Sequence, residues 1–163
     1  MLKIFWKIFW IKFWKNNRIW IWAFLWNRKN IIIWNNVWLW IWFHISVSEK
    51  WKLTIWNNTQ INRFFTCWAA DDIFIWNDCL LSYNISIQSA NHSFGMNEIP
   101  WSKEDTTAPI YIWDRCFIWC WAVILKWVTL GDNCVVGANA VVKSSFPNGS
   151  VISWNPAILI RSL

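Results

Sequence analysis

The chain has 163 residues, a length that suits one domain with a sizeable buried core. Fifteen Lys and Arg residues outnumber nine Asp and Glu residues, which gives a net charge of +6 at pH 7. No run of Lys or Arg marks a nucleic-acid-binding face, so the composition gives no indication of that class of protein.

The N-terminal segment, MLKIFWKIFWIKFWK, lacks the uninterrupted apolar run and the cleavage site of a signal peptide. The sequence has no stretch of 18 uncharged apolar residues, so no transmembrane helix is predicted. We therefore predict a cytoplasmic protein with no stable membrane insertion, in which residues 1–18 form a lead-in and residues 19–163 form the domain.

A six-residue repeat runs through most of the chain. It begins weakly at Ile19 with IWIWAF and recurs from Ile33, Ile55 and Ile75. It is clearest from Ile112, as IWDRCF, IWCWAV, ILKWVT, LGDNCV, VGANAV and VKSSFP. An aliphatic residue opens each unit, and a small or β-branched residue stands four places later in all but the last, where Phe146 breaks the pattern and the repeat structure is predicted to end.

Neither a helix nor a lone strand buries side chains with a period of six. Short strands joined by turns, three to a triangular coil, bring the chain back to the same edge after 18 residues. Ile112 and Leu130 should then stack, and the stacking of coils makes the continuous core that no single coil can form. Between the repeats, residues 93–109 are predicted to form a loop. Phe65 stands in the unit INRFFT at the inward place that a small or β-branched residue usually occupies. Its coil is therefore predicted to be distorted or to lead into a loop at TCWAADD.

Tryptophan is abnormally frequent, with 20 Trp and only 4 Gly. The second place of the repeat holds Gly131 and Gly137 in two units and Trp in most others, Trp113 among them. We interpret that place as a tight turn that favours glycine. Two explanations compete: an aromatic shell, or a gene that decodes UGA as glycine and is translated here as Trp. We favour the second, which also removes the anchors that would make the N-terminal segment a membrane-surface helix.

The segment IYIWDRCFIWCWAVILKWVTLGDNCVVGANAVV, followed by NGSVISWNPAILIR, resembles the C-terminal signature of hexapeptide-repeat acyltransferases. These include galactoside, maltose, xenobiotic and polysaccharide O-acetyltransferases. The resemblance implies an all-β, left-handed parallel β-helix that forms a homotrimer. It also implies acetyl-CoA as acyl donor, lying along the helix, and a sugar-like hydroxyl as acceptor in surface polysaccharide modification.

A hydroxyl attacks a thioester poorly without a base, and the chain has only two histidines. His92 stands where the repeat gives way to the loop, and its ANHSF context resembles the xenobiotic branch, so we predict that it is the general base. We predict that His44 is an outward structural residue. Asn62 matches a substrate-contacting residue of the galactoside branch.

The resemblance also implies residues that bind acetyl-CoA. These are Phe117, Cys120, Ala138, Lys143 and Arg161. Cys120 and Ala138 would act through backbone groups, and the two cations would meet phosphates. Phe117 replaces the usual Trp, and Ile158 replaces a second basic residue of some relatives.

We expect no metal. The five cysteines form no C-x-x-C pair and are predicted to be small buried groups, and two histidines are too few for the three-histidine zinc of carbonic anhydrases with this fold. Two alternatives remain open: a non-catalytic β-helix scaffold, and acetylation of a xenobiotic or of an amino acid such as serine.

Overall fold

The computed structural model describes residues 12–13, 16–19, 23–40, 42–97, 99 and 105–163. Within these ranges the chain forms short β-strands and one 3₁₀ turn, Arg28–Asn30. The strands are β1 (Lys12–Phe13), β2 (Arg18–Ile19), β3 (Ala23–Trp26), β4 (Ile31–Ile33), β5 (Trp38–Leu39), β6 (Phe43–Val47), β7 (Leu53–Ile55), β8 (Gln60–Ile61), β9 (Thr66–Ala69), β10 (Ile73–Ile75), β11 (Leu80–Leu81), β12 (Ser86–Gln88), β13 (Ala90–Asn91), β14 (Thr106–Thr107), β15 (Ile110–Ile112), β16 (Phe117–Ile118), β17 (Val123–Leu125), β18 (Thr129–Leu130), β19 (Val135–Val136), β20 (Val141–Val142), β21 (Ser150–Ser153) and β22 (Ile158–Ser162).

Three parallel sheets form the sides of a β-helix. The first sheet has the strand order β1-β4-β7-β10-β15-β18, and the third has β3-β6-β9-β12-β17-β20. The second runs β2-β5-β8-β11-β16-β19-β21 and ends with β22, which pairs antiparallel with β21. Consecutive strands of the repeat lie in consecutive sheets, so each strand pairs with the strand one coil earlier in the same sheet. The predicted fold class, a left-handed parallel β-helix, is confirmed.

The core follows the repeat. The residues that open the units from Ile112 onward and the small residues four places later are buried. Ile112 pairs with Leu130 in register, as the 18-residue spacing predicted. The thiols of Cys67, Cys79, Cys116 and Cys134 lie buried among these aliphatic side chains, as predicted. Only Cys120 is partly exposed, and all five cysteines are free.

A ladder of Asn and Asp side chains lines the corner between the first and second sheets. The amide of Asn57 donates to the Oδ1 of Asn77 (3.2 Å), and the amide of Asn77 donates to the Oδ1 of Asp114 (2.8 Å). The amide of Asp114 in turn donates to the Oδ1 of Asp132 (3.0 Å). Each side chain thereby satisfies a backbone donor that the turn of the neighbouring coil leaves without a strand partner.

Two details of the sequence interpretation are wrong. Phe65 occupies the inward slot, as the repeat places it, but the segment after it forms the regular strand β9 in place of the predicted loop. Phe146 does not end the helix, because it bridges to Leu130 and the chain continues into β21, which pairs with β19. The first coil also starts early, since β1 pairs with β4. The rest of the N-terminal segment, with Trp6, Trp10 and Trp14, lies outside the described residues.

Among the described residues, two groups of tryptophans bear on the choice between tryptophan and glycine. Four of them, Trp42, Trp121, Trp127 and Trp154, have φ values of 65°, 64°, 72° and 86°. Most other residues with positive φ are Asn or Asp, which tolerate this conformation; a bulky side chain does so rarely. These four backbones have the geometry that glycine adopts freely.

At the second place of the repeat, the tight-turn interpretation is wrong, because glycine is not required there by its backbone conformation. Gly131 and Gly137 do not have positive φ; they lack room, since a Cβ on Gly131 would lie 2.2 Å from the Oδ1 of Asn148. Elsewhere the same place holds stacked rings, with centroids 4.5 Å apart for Trp76 and Trp113. The indole N–H of Trp56 is buried there, with no hydrogen-bond partner in the part of the chain that the structure describes.

Candidate functional site

His92 lies on an insertion that leaves the β-helix between the third and first sheets. The insertion follows β12 and returns at β15, and its two ends are tied together by the antiparallel pair β13–β14. The imidazole is exposed, and its Nδ1 lies 2.8 Å from the Oδ1 of Asp105, just before β14. Its ring also contacts Trp68 of β9, with centroids 5.1 Å apart.

The next coil holds this insertion in place. The Nζ of Lys126 donates hydrogen bonds to the backbone oxygen (3.1 Å) and to the hydroxyl of Thr106, the neighbour of Asp105. On the other side, the amide of Ala108 donates to the carbonyl of Ser89 (3.0 Å). The His–Asp pair is therefore positioned by contacts to the rigid helix on both sides of the loop.

Asn62 lies at a different corner, between the second and third sheets. Its amide and its Nδ2 both donate to the carbonyl of Leu81, at 2.9 and 3.3 Å. Cys120 and Ala138 lie at the same corner on later coils, where the amide of Asn139 donates to the carbonyl of Cys120 (3.1 Å). Ala138 is exposed.

The other predicted donor-binding residues lie on the second sheet and at the far edge of the third sheet. Phe117 faces outward on β16 in the second sheet, and Arg161 lies exposed on β22 at the end of the same sheet. Lys143 is exposed directly after β20 in the third sheet. Within the described residues neither cation forms an ion pair, so both are available to an anionic ligand. The width of the third sheet thus separates Cys120 and Ala138 from His92, whereas Lys143 follows the same edge of that sheet as His92, two coils further along.

A groove on the outer face of the third sheet lies between these two regions. Its volume is about 450 Å³, and it is lined by His44, Ser46, Thr66, Cys67, Trp68, Ser86 and Gln88. His44 faces outward, as predicted, but it belongs to this groove.

Sequence reasoning missed Asp105 as well as the groove. Asp105 belongs to a loop that has no repeat and several carboxylates, so the sequence does not indicate which carboxylate contacts His92. The groove residues could have been found as the outward positions of three paired strands. In the described part of the chain no group of three His, Cys, Asp or Glu side chains could hold a metal ion, and no helix is long and apolar enough to span a membrane.

The repeat and the fold both match known proteins. The family model for the bacterial transferase hexapeptide (six repeats) matches residues 109–144. The chain is 25% identical over 117 residues to WcaF of Escherichia coli K12, whose name describes a colanic acid biosynthesis acetyltransferase, with 72% of this chain and 62% of that protein covered. It is 26% identical over 113 residues to WbbJ of the same organism, named for lipopolysaccharide biosynthesis O-acetyl transfer, covering 64% of this chain and 58% of that protein. The chain therefore spans about three fifths of the length of the curated relatives it matches.

Solved structures show the same architecture. A hexapeptide-repeat acetyltransferase of Vibrio cholerae in complex with acetyl-CoA superposes with a TM-score of 0.74 at 26% identity, covering 82% of this chain and 71% of that one. An N-acyltransferase from Bacillus cereus in complex with dTDP and CoA shares the fold with a TM-score of 0.83 at 21% identity, covering 96% and 86%. By its repeat and by its fold, the chain resembles the hexapeptide-repeat acetyltransferases, as the sequence predicted.

Proposed function

We propose that the chain transfers an acetyl group from acetyl-CoA to a hydroxyl of a sugar acceptor in surface polysaccharide modification. The observation that carries this proposal is the exposed His92 with its Nδ1 2.8 Å from Asp105. The names of the relatives WcaF and WbbJ support both the acetyl group and the class of acceptor.

In the proposed mechanism His92 is the general base. With the Nδ1–H donated to the Asp105 carboxylate, the lone pair of Nε2 is free to accept the proton of an incoming hydroxyl. The carboxylate fixes the ring and stabilises the imidazolium that forms after proton transfer. Base catalysis of this kind contributes about 10²–10⁴-fold to a rate.

The remaining predicted residues suit the acyl donor. Lys143 and Arg161 would bind phosphate oxygens through charge-assisted hydrogen bonds, while Cys120 and Ala138 offer backbone groups and Phe117 an apolar face. When bound, acetyl-CoA supplies the thioester whose acetyl group is transferred. Because His92 lies across the third sheet from Cys120 and Ala138, one subunit does not bring the backbone groups that would bind the donor next to the base. We therefore propose a homotrimer in which His92 of one subunit meets the donor residues of a neighbour.

Two measurements test the function. Release of free CoA from acetyl-CoA, followed with a thiol reagent, should depend on one member of a panel of sugars, amino-sugars, serine and chloramphenicol-like alcohols. In addition, CoA should raise the melting temperature, because a ligand that binds only the folded state stabilises it. A protein that neither binds CoA nor transfers acetyl to any of these alcohols would instead be a scaffold.

A further inference from the structure

The outer face of the third sheet carries a patch of polar side chains arranged in two rows. His44, Thr66 and Ser86 stand side by side in register on β6, β9 and β12. Ser46, Trp68 and Gln88 form the second row on the same three strands. Together with Cys67 they line the groove of about 450 Å³, a volume within the range of small-molecule sites, roughly 300–1,000 Å³. We call it the polar groove.

The polar groove is limited to these three strands. On the following strand, β17, Val123 pairs with Ser86 and Leu125 pairs with Gln88. On the preceding strand, the exposed Trp26 pairs with Ser46. The outward side chains thus change from apolar to polar and back to apolar along the helix axis. The polar side chains are confined to the part of this face that β6, β9 and β12 form.

The lining of the polar groove indicates the chemistry of its ligand. Apart from the indole of Trp68, its outward side chains offer three hydroxyls, one amide and one imidazole, and the lining has no Lys, Arg, Asp or Glu. The Nε2 of Gln88 donates to the hydroxyl of Ser86 (3.1 Å), which orients the amide. Such groups donate and accept hydrogen bonds without charge, and therefore suit a neutral polyhydroxylated ligand better than the phosphates of CoA.

The polar groove also adjoins the proposed base. Trp68 lines it and contacts the ring of His92, and Gln88 precedes His92 by only four residues. A ligand lying in the groove would therefore present one end at the imidazole.

We infer that the polar groove binds the sugar units that flank the acetylated unit, so that the acceptor is an oligosaccharide. This inference rests on the proposed function and extends it from a sugar hydroxyl to a glycan chain. It assigns His44, Thr66 and Gln88 to acceptor binding, with the reacting unit at the end nearest His92.

Glycan binding without acetyl-CoA tests the inference directly. Fluorescently labelled full-length protein is applied to an array of neutral mono- to hexasaccharides, alongside a Thr66→Ala/Gln88→Ala double variant and a Gln60→Ala control. Gln60 is an outward glutamine on the neighbouring second sheet. We expect binding that strengthens with chain length, falls at least tenfold in the double variant and is unchanged in the control.

Several outcomes would overturn the inference. They are no binding to any glycan, equal binding by the double variant, equal binding of mono- and hexasaccharides, and competition by free CoA. If two chains of the Ser86→Cys variant rapidly form a disulfide with each other, a second copy of the chain covers this face instead. Acetyl transfer by the wild type is measured separately. Transfer to a monosaccharide without glycan binding would contradict only the inference about the polar groove. Glycan binding without transfer would contradict the proposed function alone.

Discussion

Four tryptophans carry positive φ values at corners of the β-helix, and glycine would relieve the conformational cost at each. The left-handed conformation costs an L-residue roughly 1–2 kcal/mol, and the rings of Trp121, Trp127 and Trp154 are exposed, so little packing offsets that cost. We predict that the natively expressed protein has glycine at Trp42, Trp121, Trp127 and Trp154. Intact mass spectrometry should give a mass well below 19.7 kDa, and peptide sequencing should find glycine there; a native mass of 19.7 kDa would refute recoding.

The buried thiols predict an alkaline loss of stability. Burial raises the pKa of the Cys67 thiol well above its ordinary value of 9.0. The hydrogen bond with Cys134 lowers the pKa of Cys116, but the hydrogen bond with Cys79 and burial outweigh it and raise that pKa to about 12. Above pH 9 the unfolded chain therefore releases thiol protons that the folded chain retains. The free energy of unfolding should fall as pH rises from 9 towards 12, by up to about 1.4 kcal/mol per pH unit for each thiol.

Urea unfolding at pH 8, 9 and 10 measures this slope. Cys116→Ala is a suitable comparison, because Ala122 and Ala140 occupy the equivalent slot of other coils. The variant should lose part of the slope whatever its stability at pH 8. A slope equal to that of the wild type would show that Cys116 does not contribute.

At the scale of the element, periodicity determines what the sequence predicts. A repeat of six specifies every strand from Ile112 onward, including the register of Ile112 with Leu130, because each coil must bury the same positions as the last. The regular strand after Phe65 could not be predicted, since it depends on how much room the adjacent coils leave for this ring. Asp105 belongs to an aperiodic insertion, and its contact with His92 depends on where β13 and β14 meet.

Lys126 should hold the base of that insertion. In Lys126→Met the hydrogen bonds to Thr106 are lost, so the amides of Thr106 and Ala108 should exchange with solvent faster. Global stability should change by less than about 1 kcal/mol, because the pair is exposed. Hydrogen exchange by mass spectrometry reads this out, with Lys52→Met, an exposed lysine at the same corner of an earlier coil, as the control. Unchanged protection would show that β13–β14 pairing alone orders the loop.

For the whole molecule, the proposed trimer, in which His92 of one subunit meets the donor residues of a neighbour, predicts complementation between subunits. His92→Ala chains and Lys143→Ala/Arg161→Ala chains should each be inactive or nearly so. After mixed refolding, some interfaces combine a working base from one chain with working cations from another, and part of the activity should return. Mixed oligomers that stay inactive, or a fully active monomer in sedimentation, would place the whole site within one chain.

The central claim is that His92 is the general base of an acetyltransferase. Its most direct test is kcat for acetyl transfer by His92→Ala on the acceptor found in the screen, with CoA affinity measured in parallel and Lys29→Ala as an exposed control far along the chain. If His92 is the general base, kcat falls by about 10²–10⁴-fold while CoA affinity stays nearly unchanged. A His92→Ala enzyme that turns over at the wild-type rate would contradict it.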